Sequence, residues 1–411
     1  MTAGGRGPPT RRQTAIGGTT MERCITTEKH PIKLWLRDID EATLAQARNL
    51  AALPFIHSHI AIMADAHVGF GMPIGGVAAT REVVIPNAVG VDIGCGVCAV
   101  RTSLTAIDRE TLKSILGAIR LAIPVGFAHH RHKQDVRRMP EPGPGIDVEA
   151  LPIVSREYDN ALTQIGTLGG GNHFIEIQQA DDHHIWIMIH SGSRNIGFRV
   201  ANHYNDLAIE LNRKKSSGNA ADRQLAFLPL DLPLALRYLD EMRYCVAFAR
   251  ANRRLMMERI EDILQHYCAP VAFAPPIDVA HNYAAAETHF GREVLVHRKG
   301  ATRAGRGETG IVPGSQGTAS YIVRGLGNID SFSSCSHGAG RRLGRKQAQR
   351  QLDLRAEIQR LEERQILHAI RGRRDLEEAA GAYKDIEVVM ANQRDLVEIV
   401  TRLQPLAVIK G

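Results

Sequence analysis

Long apolar runs are missing from this sequence. No stretch of about 18 uncharged apolar residues occurs, so no membrane-spanning helix and no membrane partner are expected. The most apolar segment, residues 53–79, is broken by His57, His59, Asp65 and His67. Cysteine is sparse and dispersed, at positions 24, 95, 98, 245, 268 and 335 of 411. That pattern fits a reducing, cytoplasmic setting better than a disulfide-stapled fold. No repeat of fixed period occurs. Residues 1–20 contain no acid and no apolar run, so they read as a disordered extension and not as a secretory signal. Several signatures are also absent. Without G-x-x-x-x-G-K-[ST] the chain is no P-loop hydrolase, and without H-E-x-x-H it is not that kind of metalloprotease. The glycines at 166–171 lack the G-x-G-x-x-G spacing of a dinucleotide fold. The absence of Lys-x-Asp-Gly argues against a lysine-adenylylating ligase.

What is present is globular: 44% hydrophobic and 23% charged residues, enough to bury a core. The 38 glycines are concentrated, with 24 of them in the windows 60–100, 164–200 and 300–344. Glycine admits left-handed backbone and close approach to a ligand. The net charge of +7 is mild, but residues 298–350 carry ten basic side chains against Glu308 and Asp330. Charge alone makes that window a solvated face.

Apolar spacing predicts helices over 41–52, 109–122, 234–265, 345–369 and 385–403. Short apolar runs predict strands at 82–85, 98–102, 185–189, 293–296 and 320–323. Loops are expected at 140–144 and 214–218. The expected fold class is α+β: a single large interwoven domain of mixed sheets flanked by helices, with a helical excursion around 203–270.

The chemistry-bearing residues fall in the glycine windows. Asp92 and Cys95, three apart after an apolar run, suit a divalent metal, and a thiolate can bridge two ions. Cys95 and Cys98 form a lone C-x-x-C, and no second pair exists to complete a zinc knuckle. Asn172, His173 and Glu176 follow a glycine run, and His190 ends an apolar strand where ligands usually sit. Taken singly, each histidine reads better as a satisfied structural residue, and Asn172 to Glu176 reads equally as a turn cap. His281 is a third candidate imidazole. His337 lies between a serine run and Gly338-Ala-Gly340, a loop whose amides suit phosphate or ribose oxygens. There an imidazole is a metal ligand, a general base or a nucleophile toward phosphorus.

Together these stretches resemble the RtcB family of RNA-splicing ligases over residues 21–411. The resemblance rests on Asp-Ala-His-Val-Gly at 65–69, Gly-Val-Asp-Ile-Gly-Cys-Gly at 90–96 and Gly-Asn-His-Phe-Ile-Glu at 171–176. It continues through His-Ser-Gly-Ser-Arg at 190–194, His-Asn-Tyr at 281–283, Pro-Gly-Ser-x-Gly at 313–317 and Ser-His-Gly-Ala-Gly-Arg at 336–341. Ala-Tyr-Lys-Asp-Ile at 382–386 and the final Lys410-Gly411 complete it. Ala64, Asn195, Gln316 and Ala380 depart from the family's usual Pro, Gly, Met and Pro.

The resemblance implies a cytoplasmic, monomeric catalytic domain that uses GTP and two Mn²⁺ ions. It would join RNA 3′-phosphate or 2′,3′-cyclic phosphate ends to 5′-hydroxyl ends, in tRNA splicing or RNA repair. Asp92, Cys95, His173, His190 and His281 would hold the metals, and His337 would take GMP. Asn172 would face the phosphates. Glu176, Ser315, Ser320, Gly338, Ala339, Gly340, Tyr383 and Lys410 would surround the guanosine. Arg194 and Arg341 would meet RNA, and the basic stretch 298–350 would place positive charge at the site. Two alternatives remain at this level: a two-metal RNA phosphodiesterase or phosphatase with the same ligands and His337 as general acid, and an idle RNA-binding protein with a structural metal.

Overall fold

Alternation along seven strands decides which side chains meet. The computed structural model describes residues 21–213 and 224–411; the expected extension at 1–20 and loop at 214–218 lie outside the described residues. The seven strands lie in the order Ile277–Ala280, Gly96–Arg101, Ile185–Ser191, Phe174–Ala180, Val397–Lys410, Ser320–Gly325 and Thr309–Val312, all antiparallel. The sheet curls until its edge strands approach one another, nearly closing a barrel. Successive side chains point to opposite faces. Val97, Ala99, Phe174, Trp186, Met188, Ile322, Leu403 and Val408 fill the inside. Cys98, Val100, Ile175, Ile177, Ile187, Ile189 and Ile409 pack outward on the helices Arg109–Ala122 and Pro233–Cys268.

The same alternation puts Cys95, Glu176, His190, Ser320 and Lys410 on the inner face. His190 sits opposite both Val97 and Phe174, and Phe174 sits opposite Lys410, so these residues form one row across four strands. A bulge sets the phase of the last strand. Pro405 pairs with Gln178 and Ala407 with Ile177, which leaves Leu406 as an extra residue. Its carbonyl accepts from the amide of Leu367 at 2.9 Å.

A six-stranded sheet stands beside this one, in the order Arg23–Ile25, Ile32–Leu34, Ile56–Phe70, Met72–Thr80, Arg292–Lys299 and Asn282–His289. Its central hairpin is the apolar segment 53–79. The hairpin turns at Gly71 (φ +76°), where a Cβ would stand 2.5 Å from the Gln224 carbonyl oxygen.

The architecture is α+β, as expected, and the helix at 109–122 has the expected bounds. Two helical expectations fail. Over 345–369 there are two helices, Arg345–Gln351 and Leu354–Glu363, because Asp353 starts the second by accepting from the Ala356 amide at 2.8 Å. Over 385–403 the helix is only Ile386–Ala391. The β-branched run Val397, Ile399, Val400 and Thr401 belongs to a strand. The long helix Pro233–Cys268 and the helix Arg194–Asn212 account for the described part of the excursion at 203–270. No helix among the described residues is long and apolar enough to cross a membrane.

Arg253, on the long helix, is fully buried and ties several segments together. Its Nε and Nη2 donate to the Asp278 carboxylate at 2.8 and 2.6 Å, and its Nη1 donates to the carbonyls of Gly94 (3.0 Å) and Ser191 (2.9 Å). Arg253→Met leaves Asp278 and both carbonyls buried without this donor. Thermal unfolding is expected to show a loss of about 3–5 kcal/mol, the usual penalty for breaking one side of a buried pair.

Candidate active site

A cavity of about 650 Å³ opens at the end of the curled sheet, between it and the 338–340 loop. Its wall includes fourteen of the seventeen expected site residues: Asp92, Cys95, Asn172, Glu176, His190, His281, Ser315, His337, Gly338, Ala339, Gly340, Arg341, Tyr383 and Lys410. His173, Arg194 and Ser320 stand behind the wall.

Cys95 is the hub of one side. Its Sγ lies 3.4 Å from His173 Nε2 and 3.2 Å from His190 Nε2, and the ligand atoms of these three buried residues all lie within 4.8 Å of one another. His190 Nε2 is 3.4 Å from His281 Nε2, and His173 Nε2 is 3.1 Å from Asp92 Oδ2. The Asn172 carbonyl lies 3.2 Å from His190 Nδ1, which places that ring's proton on Nδ1 and turns the Nε2 lone pair toward Cys95. Gly192 leaves room for Asp92, since a Cβ there would stand 2.1 Å from its Oδ1. Cys98 points the other way, into the outer core, so the C-x-x-C is no pair.

Burial, helped by Asp92, pushes the Cys95 thiol well up; burial pushes His190 and His281 well down. Burial works against Asp92 ionising, but His173 and Arg194 hold it below the usual carboxylate range. The cluster is therefore a protonated thiol and neutral imidazoles beside one carboxylate. One thiol, three imidazoles and a carboxylate converge, and His281 Nδ1 is buried without a hydrogen-bond partner. This donor set fits a borderline divalent cation, which would take the thiol as thiolate.

Arg194 is turned into the protein. Its Nη1 donates to the Leu168 carbonyl (2.8 Å), to Ser191 Oγ (3.0 Å) and to His173 Nδ1 (3.1 Å). Gly169 (φ +82°) makes space for it, since a Cβ there would overlap the guanidinium.

His337 faces the cluster from the opposite wall, with its ring centroid 4.8 Å from that of His281. It follows the strand Ser334–Ser336 and is held by Asp65, a fully buried carboxylate in the central hairpin. Asp65 Oδ2 accepts the amides of His337 (3.1 Å) and Gly338 (3.3 Å). It also stands 2.7 Å from His337 Nδ1, in charge contact though off the line of a good hydrogen bond. Burial opposes the ionised form of Asp65, but His337, His67 and Lys384 keep it below its ordinary range. With Nδ1 against Asp65, the ring's Nε2 is its free nitrogen. Gly340 (φ +71°) lets the loop close on this strand, since a Cβ there would stand 2.0 Å from the Asp65 carbonyl oxygen.

The third wall is polar and buried. Gln178 Nε2 donates to Glu176 Oε2 (2.6 Å) and Ser320 Oγ (3.1 Å), and Ser320 Oγ accepts the Gly314 amide (3.1 Å). Burial raises the Glu176 carboxyl to about 7, against the pull of Lys410 and Gln178. Glu378 gathers Tyr383 Oη, Arg341 Nη1 (3.1 Å), Arg345 Nε (3.3 Å) and, at 3.9 Å, Lys410 Nζ. Gln316 donates to the Glu378 carbonyl at 2.9 Å, a bond that methionine at that position has no N–H to make.

The basic stretch 298–350 is not a continuous positive face. Arg298 is fully buried and paired with Glu287, and Arg303 and Arg324 pair with Glu308 and Glu398. Lys299 lines the cavity but spends its Nζ on the carbonyls of Phe70 (2.6 Å) and Asn87 (2.9 Å), and burial pushes it down to about 7. Arg298, Arg324, Arg341 and Arg345 meet acids that lie outside the stretch, which a count along it does not see. Asp65 and Glu378 carried no expected role. A lone carboxylate in the most apolar segment was the available signal for Asp65. Glu378, in a run of mixed charges, offered none.

The fourteen lining residues, the three walls and the donor set around Cys95 describe an enzyme site. The comparisons agree. The family described as "tRNA-splicing ligase RtcB" matches residues 46–150 and 146–411. The RNA-splicing ligase RtcB of Escherichia coli K12 is 39% identical over 410 residues, covering 94% of this chain and 99% of that protein. The RNA-splicing ligase RtcB of Mycobacterium tuberculosis H37Rv is 34% identical, with 89% and 100% covered. The tRNA-splicing ligase RtcB of Thermococcus kodakarensis is 32% identical, with 90% and 91% covered. The chain belongs to the RtcB family of RNA ligases.

Glu176 yields a pH test. Its folded carboxyl binds a proton more tightly than the unfolded one, so stability falls as pH rises from 4.5 to about 7 and stays lower above. The cost is on the order of 3 kcal/mol. Glu176→Gln is expected to raise the thermal midpoint at pH 8 relative to wild type and to leave it nearly unchanged at pH 4.5.

Proposed function

We propose that this RNA ligase joins RNA ends bearing a 3′-phosphate or 2′,3′-cyclic phosphate to ends bearing a 5′-hydroxyl, using GTP and Mn²⁺. The observation that carries this reading is His337, whose Nδ1 is backed by Asp65 and whose free Nε2 opens on a cavity shared with the Cys95 cluster. Asp92, Cys95, His173, His190 and His281 would hold two Mn²⁺ ions, whose charge would screen the triphosphate and favour departure of pyrophosphate.

His337 acts as nucleophile. Its Nε2 forms a bond to the α-phosphorus of GTP, and the bond to pyrophosphate breaks. Asp65 holds the ring by Nδ1 and steadies the positive charge that the imidazole gains. An imidazole bonded to phosphorus is a good leaving group, so GMP passes to an oxygen of the RNA 3′-phosphate. The 5′-hydroxyl then attacks that activated phosphorus and GMP departs. A 2′,3′-cyclic end is first opened by hydrolysis. Glu176, Ser315, Ser320, Tyr383, Lys410 and the Gly338-Ala339-Gly340 loop surround the guanosine, and Asn172 faces the phosphates. Arg341 meets RNA phosphate, and Arg194 acts through His173. The same reading takes the enzyme as a cytoplasmic monomer with residues 21–411 as its catalytic unit; the unpaired cysteines of the described residues are consistent with a reducing compartment.

With α-labelled GTP and Mn²⁺, the protein is expected to take up acid-labile, alkali-stable label, and His337→Ala to take none. RNA phosphate hydrolysis without label would instead favour the phosphodiesterase. Cys95→Ala is expected to lose most bound metal on dialysis, measured as metal per chain; unchanged content would remove Cys95 from the ligand set.

A further inference from the structure

Phe127 stands wholly in solvent, at 101% relative exposure, on a loop that is tied down on both sides. Before it, the Gly126 amide donates to the Gly169 carbonyl at 2.9 Å and the Leu168 amide to the Pro124 carbonyl at 2.9 Å. After it, the His130 amide donates to the Thr163 carbonyl at 3.0 Å, and Arg259 Nη1 holds the His130 ring at 2.9 Å. A pinned loop with a bare phenyl ring is doing something other than packing a core.

The loop lies beside the glycine run that leads into the site. Gly126 Cα is 3.6 Å from the place a Cβ on Gly170 would occupy, and Arg345 Nη2 is 2.8 Å from the equivalent place on Gly171. Phe127 and the cavity residue Arg345 therefore flank one short segment that continues directly into Asn172 and His173. Counting residues, Phe127 is on the order of 15 Å from Asn172. Arg131 is exposed four residues on, with no partner among the described residues. Its basic neighbours Lys133, Arg137 and Arg138 are paired with Asp159, Asp135 and Glu258.

We propose that Phe127 is a stacking platform for a base of single-stranded RNA, with Arg131 at the backbone, a few nucleotides from the end being joined. This deepens the ligase reading and rests on it. Every base has a π-face, so an exposed ring on a rigid loop accepts any sequence, while an unpaired guanidinium answers the phosphates.

The test uses the full chain and Phe127→Ser, Phe127→Trp and Arg131→Ala. The probe is a fluorescein-labelled ten-nucleotide single-stranded RNA ending in a 3′-phosphate, read by anisotropy. Phe127→Ser is expected to bind it about tenfold more weakly, and Phe127→Trp to restore binding. Arg131→Ala is expected to lower the slope of log affinity against log salt by about 0.7. Ligation should show a raised KM for the ten-nucleotide RNA with kcat kept, no change with a dinucleotide 3′-phosphate, and wild-type GMP labelling from GTP. Binding of the ten-nucleotide RNA within twofold of wild type by Phe127→Ser overturns the proposal, as does equal weakening with the dinucleotide. Loss of a dimer in sedimentation with RNA binding intact overturns it in favour of a protein contact. A wild type that takes no GMP label sinks the ligase reading instead, and a wild type that labels but does not bind the RNA sinks this inference alone.

Discussion

One buried guanidinium underlies the site. Arg253 holds the carbonyl of Gly94, one residue before Cys95, and the carbonyl of Ser191, one residue after His190. It also holds Asp278, three residues before His281. The His281 amide in turn donates to the Cys95 carbonyl at 2.9 Å. Three segments far apart in sequence are thus brought to one point by a planar fork whose donors leave little freedom. Burial disfavours its charge, and Asp278 restores it. The long helix is therefore part of the catalytic apparatus without contributing a residue to the cavity wall.

The two halves of the site use buried charge differently. Around Cys95, burial suppresses ionisation of the thiol and the imidazoles, leaving a neutral donor set that a cation can convert. Around His337, a carboxylate is kept ionised in a fully buried position by the imidazoles and amine near it. Glu378 goes further and gathers three cations and a phenol. Such arrangements cost solvation and return geometry: each partner is orientated before any ligand arrives.

Much of this was legible in the sequence. Asp92, Cys95 and His190 stand out in the sequence as isolated polar residues at the ends of apolar runs; strand alternation sets the face of Cys95 and His190, and the turn before Gly96 carries Asp92. The α+β class and the helix at 109–122 follow from periodicity. The failures are equally physical. Residues 385–403 have apolar spacing compatible with a helix, yet β-branched side chains and pairing with two neighbouring strands prevail. The charge of residues 298–350 looked like a face because linear counting ignores Glu287 and Glu398, which come from other elements. Arg194, expected at RNA phosphate, spends its Nη1 here on Leu168, Ser191 and His173. The break at 345–369 is a local cap by Asp353, whereas the strand Val397–Lys410 and the pairing of Arg298 and Arg324 depend on partners that spacing along the chain does not encode.

The bulge at Leu406 carries a consequence for how this chain tolerates change. Leu403 and Val408 both face inward although they are five residues apart, which plain alternation forbids. The extra residue between Pro405 and Ala407 resets the phase and so delivers Lys410 to the cavity. A single-residue deletion there would leave the strand's composition almost intact, yet would present Lys410 to the helices and a hydrophobic neighbour to the ligand. Conservative exchange of side chains along that strand keeps the phase, whereas a change in its length does not. The heritable information at this edge of the site is a count of residues as well as an identity.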